Sequence, residues 1–116
     1  MRTALIAVCL IIAFSFPARA SENAILLGLG FVSCGKWLES RQNLQLHAQY
    51  RQWIFGFLSG INWETSGPQA RPPDLEAAVA FVDTYCRSNP LDSIALAAAA
   101  LAQETGGPKA LHQWRR

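Results

Sequence analysis

Between residues 43 and 61 apolar side chains return at intervals of three and four: Leu46, Tyr50, Trp53, Ile54, Phe57, Leu58 and Ile61. Such intervals bring side chains to one face of an α-helix, so the spacing predicts a helix from near Asn43 to about Gly60 with a broad buried stripe. Gln45, Gln49, Arg51, Gln52 and Ser59 occupy the other side. Gly56 and Gly60, four apart, are expected to let another helix or a bulky ring approach the backbone, while Phe55 and Trp63 fall off the stripe. A second run, Leu75, Val79, Val82 and Cys86, predicts a helix starting near Asp74, flanked by Phe81 and Tyr85. In the following RSNPLD, Asn89 as cap, Pro90 at the first helical position and Asp92 at the third predict a last helix from Pro90 to about Gln103. That helix is alanine-rich, with Leu91, Ile94, Leu96, Ala98 and Leu101 as apolar positions, and Gly106 and Gly107 stop it.

Upstream, Ser33 is placed to cap a short helix in which Cys34, Trp37 and Leu38 share a face. The preceding SENAILLGL is a short apolar segment, an initial helix or an ordered arm, in which Gly28 and Gly30 read as turn or packing positions. No segment shows sustained strand alternation. The expected fold is all-α, a small disulfide-linked bundle of about four helices.

The first twenty residues belong to a different pattern. Arg2 precedes an unbroken apolar run from Ala4 to Phe14, followed by Pro17 and the small-x-small triplet Ala18-Arg19-Ala20. This is the layout of a secretory signal peptide cleaved near Ala20, and the run is shorter than the roughly 20 residues of a membrane span. The expected organisation is a signal peptide over 1–20, a helical domain over 21–105 and a tail over 106–116, in which Leu111 and Trp114 are able to dock back. The expected location is the periplasm or the exterior, with no stable membrane insertion after cleavage.

Cleavage changes the charge. The whole chain carries ten Lys and Arg against eight Asp and Glu, but Arg2 and Arg19 leave with the signal, so the remainder is balanced at eight and eight. A nucleic-acid surface needs a concentrated basic patch, and none remains. Export also bears on the cysteines. Cys9 departs with the signal, and Cys34 and Cys86 are left in an oxidising space, where a pair is expected to bond. The alternatives are two free thiols, or a zinc site that would require His47 and His112 as further ligands.

The supply of catalytic groups is thin. His47 and Arg51 lie one helical turn apart and read either as a base and a clamp or as a histidine at the boundary of the stripe. Asp83 and Arg87 are spaced for a helix-surface ion pair. Ser33 and Ser59 have no histidine at a readable spacing, and nothing relates Glu39, Glu64 and Glu76 in space. No catalytic, metal-binding or cofactor-binding residue is assigned, no cofactor is expected, and the chain reads as a non-enzyme. A small enzyme would need a cleft uniting His47 with an acid or a serine. The segment ETSGPQARPP, residues 64 to 73, is either a solvated linker or a recognition loop presenting Arg71 on the stiff Pro72-Pro73 pair.

Trp53, Gly56, Ser59-Gly60, Tyr85-Cys86 and Asn89-Pro90, following Cys34 and Trp37, together form an ordered set across residues 32 to 104. In this set the chain resembles the Rap1a/Tai-type immunity proteins and, more distantly, the HdeA/HdeB acid-stress chaperones. The resemblance implies a helical periplasmic domain that binds protein, either one effector enzyme or partly unfolded clients. Many immunity-type relatives have a second disulfide, for which this chain has no cysteine after Cys86. On the immunity reading the contact residues are Trp63 and Arg71, an aromatic anchor beside an arginine. On the chaperone reading, protonated carboxylates would open the structure and expose apolar surface.

Overall fold

Each helix begins at a side-chain oxygen that accepts a backbone N–H from the first turn. The computed structural model describes residues 25–109, and the signal-peptide assignment, Leu111 and Trp114 lie outside them. Ser33 Oγ accepts from Lys36 N at the start of α1 (Cys34–Glu39), and Asn43 Oδ1 from Leu46 N at the start of α2 (Leu44–Glu64). Asp74 Oδ1 accepts from Ala77 N for α3 (Leu75–Ser88), and Ser93 Oγ from Leu96 N for α4 (Ile94–Glu104). Such caps satisfy amides that have no partner inside the helix. Two short 3-10 turns, Gly28–Phe31 and Ser40–Gln42, complete the secondary structure of the described residues. Among the described residues the only strand-like feature is one antiparallel bridge between Ser33 and Ser93, so the fold is the all-α, disulfide-linked bundle that the periodicity predicts.

The start of α4 differs from the expectation. Residues 90 to 93 do not enter the helix because their backbone is used by the segment around Cys34. Cys34 N donates to Asp92 O at 2.7 Å, Gly35 N to Pro90 O at 3.2 Å, and Ile94 N to Val32 O at 2.9 Å. Asp92 caps nothing; its carboxylate accepts from Tyr85 Oη at 2.6 Å. Leu91, expected as an apolar position of the last helix, lies on this turn instead and is 95% exposed. Leu75, at the first position of α3, is also exposed.

The core forms around α4, which packs against both α2 and α3. Ala95, Ala97, Ala98, Ala99 and Ala102 are all buried, and their small side chains let the neighbouring helices come close. Trp37, Ile54, Val82, Ile94 and Leu101 fill the larger spaces, each contributing roughly 1.5–3 kcal/mol by leaving water. α1 rests on α3, joined there by the Cys34–Cys86 disulfide across 52 residues of sequence, with both cysteines fully buried.

α2 keeps its expected stripe, with Tyr50, Ile54 and Leu58 buried, and runs to Glu64, so that Trp63 stands on its last turn. Its glycines do not act as expected. Gly56 and Gly60 are exposed, and a Cβ at either would meet nothing within 4 Å. The close approach occurs at Gly30 instead, where a Cβ would lie 2.4 Å from the Trp53 ring. Trp53 stacks on Phe57 with centroids 5.1 Å apart and donates from Nε1 to Leu27 O at 2.8 Å, which fastens the first 3-10 turn to α2. No described helix is long and apolar enough to cross a membrane.

Candidate functional site

Trp63 and Arg71, eight positions apart in sequence, are brought to one end of the molecule by Asn62. The Asn62 side chain bonds both backbone groups of Ala70: Nδ2 donates to Ala70 O and Oδ1 accepts from Ala70 N, each at 2.8 Å. Ala70 is 4% exposed, so these bonds satisfy backbone groups that the fold removes from water. The next residue is fixed from the other side, where Arg71 N donates to Thr105 O at 3.0 Å at the end of α4. Gly107 closes the joint. It is buried, and a Cβ there would lie 2.6 Å from Ala102 O and 3.1 Å from the Ala70 methyl. The segment read either as a linker or as a recognition loop is therefore pinned at its middle to both α2 and α4.

Two side chains stand free of this joint. Trp63 is 89% exposed, and Arg71 is exposed, its guanidinium 3.4 Å from Gln69 Oε1. Asn62 itself was not singled out by the sequence. The signal for it is weak, a polar residue one turn from the end of a helix and followed by a Pro/Gly-rich loop.

The other end of α2 holds the titratable cluster. His47 is 6% exposed, and its ring lies against Trp37 with centroids 4.5 Å apart. His47 Nδ1 is 2.8 Å from Ser40 Oγ, and Ser40 Oγ donates its one proton to Trp37 O at 2.6 Å. Nδ1 must then carry the hydrogen of the Nδ1···Oγ bond, which sets the tautomer. Burial, followed by the nearby positive charges of Arg41 and Arg51, holds the His47 pKa below its ordinary 6.5, and Glu76 offsets part of this.

The ion pairs around the cluster differ from the expected ones. Asp83 faces away from Arg87, accepting from Trp37 Nε1 at 2.7 Å and pairing with Arg41. Arg87 donates to Thr84 Oγ1 at 3.1 Å. Arg51 reaches across to Glu76 on α3 at 2.7 Å rather than clamping anything beside His47. Arg51 also lines a small crevice together with Trp37, Ile54, Phe55, Val79 and Val82.

Chemically, the structure unites His47 with a serine that sequence reading overlooked, Ser40, but places the two in the core. Ser40 is 2% exposed, and its proton is already committed to the helix backbone, so its oxygen is not presented to a substrate. Among the described residues no group of three or more His, Cys, Asp or Glu is arranged to hold a metal ion. Compared with known proteins, the chain matches no family model, no curated relative and no solved structure.

Proposed function

We propose that this chain is an exported protein-interaction domain of the immunity type, which docks one effector enzyme through Trp63 and Arg71. On this reading the signal peptide is removed near Ala20, and the domain works in the periplasm. The observation that carries the reading is Trp63, a tryptophan 89% exposed on the last turn of a helix whose adjoining loop is held by Asn62. An indole in water does nothing for the fold, whereas at an interface its large, rigid surface is a preferred anchor. Because Ala70 and Arg71 N are already fixed, little backbone entropy would be lost when a partner engages Arg71. Arg71 favours a carboxylate on that partner, next to an apolar pocket that receives the indole.

The test is affinity capture from envelope extract at neutral pH with the oxidised protein as bait, alongside Trp63→Ala, Arg71→Ala and the Cys34→Ser/Cys86→Ser double variant. The expected result is one stoichiometric enzyme, lost with Trp63→Ala and with the double variant and weakened with Arg71→Ala. Capture that ignores both surface substitutions removes this face from consideration. Many weakly held clients gathered only in acid would point to a chaperone.

A further inference from the structure

His47 is the only histidine among the described residues, and the fold prepares no anion for its charged form. α1 supplies Trp37 and Ser40 follows at its end, while Lys36 and Glu39, also on α1, pair with each other at 2.7 Å. The second 3-10 turn brings Arg41, and α2 itself brings Tyr50 and Arg51. The two carboxylates that α3 offers, Asp83 and Glu76, are already engaged by Arg41 and Arg51. α4 has no ionisable residue before Glu104 at its end. A proton on the imidazole would thus place a third cation beside two arginines whose counter-ions are in use.

The proton has a route. Nδ1 is hydrogen-bonded to Ser40, and among the described residues no group bonds Nε2. Because no buried side-chain nitrogen among the described residues lacks a partner, Nε2 is where the ring meets solvent. The two sides of the site are held by different means. α1 is held to α3 by the disulfide and to residues 90–94 by backbone bonds, while the start of α2 is joined to the end of α1 by the contacts of His47 and the Asn43 N to Ser40 O bond, and to α3 by the exposed Arg51–Glu76 pair.

We infer that His47 is an acid-sensitive latch: proton uptake at Nε2 releases the first turns of α2 from α1 while the disulfide keeps α1 on α3. The sign follows from the neutral ring being the one the folded state favours. The latch is closed above pH 6.5, the unfolded value, and weakens as pH falls below it toward the lower value of the folded state. The latch is independent of the docking role proposed for Trp63.

The test is an NMR titration of the oxidised, 15N-labelled protein from pH 8 to 4. It follows the His47 ring nitrogens, the Trp37 indole N–H and the exchange protection of amides 46–50, α3 and α4. The expected result is an Nδ1–H ring at pH 8 and a His47 midpoint below 6.5. Protection of amides 46–50 should fall with that same midpoint, while α3 and α4 keep theirs. His47→Gln, which keeps a hydrogen-bonding amide but takes up no proton, should abolish this step. Arg51→Gln should move the His47 midpoint upward, since it removes a cation and frees Glu76. A midpoint at or above 6.5, an Nε2–H tautomer, simultaneous loss of protection in all helices, or a midpoint indifferent to Arg51→Gln would each overturn the latch. These wild-type and Arg51→Gln readings decide the matter even if His47→Gln does not fold.

Discussion

The two ends of α2 treat their side chains in opposite ways. At the start, polar groups are taken into the protein and each is answered: His47 by Ser40, the Trp37 indole by Asp83, and Asp83 by Arg41. At the far end the buried polar work is done by one residue, Asn62, while Trp63 beside it is left in water. Trp37 and Trp63 are the same residue type, one fully buried and one 89% exposed. Stability explains the first placement. It does not explain the second, which is why the second end is the candidate for recognition.

The largest expected effect falls on the buried end. Replacing Cys34 and Cys86 by serine opens a loop with a sequence separation of 52 residues, and on the chain-entropy account this lowers stability by about 4 kcal/mol. Both positions are fully buried, so two hydroxyls would also have to be accommodated in the core. A marginal domain of this size has little more than that to lose. Thermal or urea unfolding of the double variant should show a partly or wholly unfolded chain at 37 °C. A drop in midpoint of only a few degrees would mean that α1 is held to α3 by packing alone.

Next comes Trp37→Phe. The phenyl ring retains contact with His47 but loses the indole N–H that Asp83 accepts and leaves a space between α1 and α3. The loss should be about 2 kcal/mol, because a hydrogen bond to a charged group in a partly buried site is removed along with packing. Urea unfolding measures it directly. Asp83→Asn in the Trp37→Phe background should then cost less than in the wild type, since the two residues act as one unit.

These two substitutions also mark what the sequence makes legible. Helix stripes repeat every few residues, so the buried faces of α2 and α3 and the pairing of Cys34 with Cys86 follow from local pattern and chemistry. The elbow does not. Ser40 and His47 are seven residues apart across a 3-10 turn, and no periodic rule carries that spacing into space. Asp83 and Arg87 have ideal helix spacing, yet a buried indole N–H needs an acceptor, and this outweighs a surface pair worth a few tenths of a kcal/mol. The start of α4 departs from the local pattern for a related reason. Asn89, Pro90 and Asp92 look like a helix N-terminus, but the carbonyls of Pro90 and Asp92 are claimed by the amides of Gly35 and Cys34, a partnership between segments more than 50 residues apart.

Asn62→Ala carries the comparison to the far end of α2. It removes both bonds to Ala70, leaving a buried backbone N–H and C=O without their side-chain partners. The expected loss is about 1 to 2 kcal/mol, lowered from the full penalty because the loop can shift to let water in. Hydrogen exchange should place the change in residues 65 to 73 and at the end of α4, with the His47 cluster unaffected. If binding by the Trp63 face depends on a loop already in place, this variant should also weaken capture of the partner without touching Trp63.

Trp63→Ala is expected to have the smallest effect on folding and the largest on binding. An indole that is 89% exposed contributes little burial, so unfolding stability should change by less than about 0.5 kcal/mol. The same substitution removes the anchor of the proposed interface, where truncation of a central tryptophan typically weakens binding by 2 kcal/mol or more, about thirtyfold in Kd. The two numbers together make the test sharp. A large stability loss would show that Trp63 is covered in solution and that the two ends of α2 are less different than their exposures indicate. Unchanged stability with unchanged binding would separate exposure from recognition and leave Arg71 and the pinned loop as the surface to examine. Unchanged stability with binding lost is what the contrast between Trp37 and Trp63 requires.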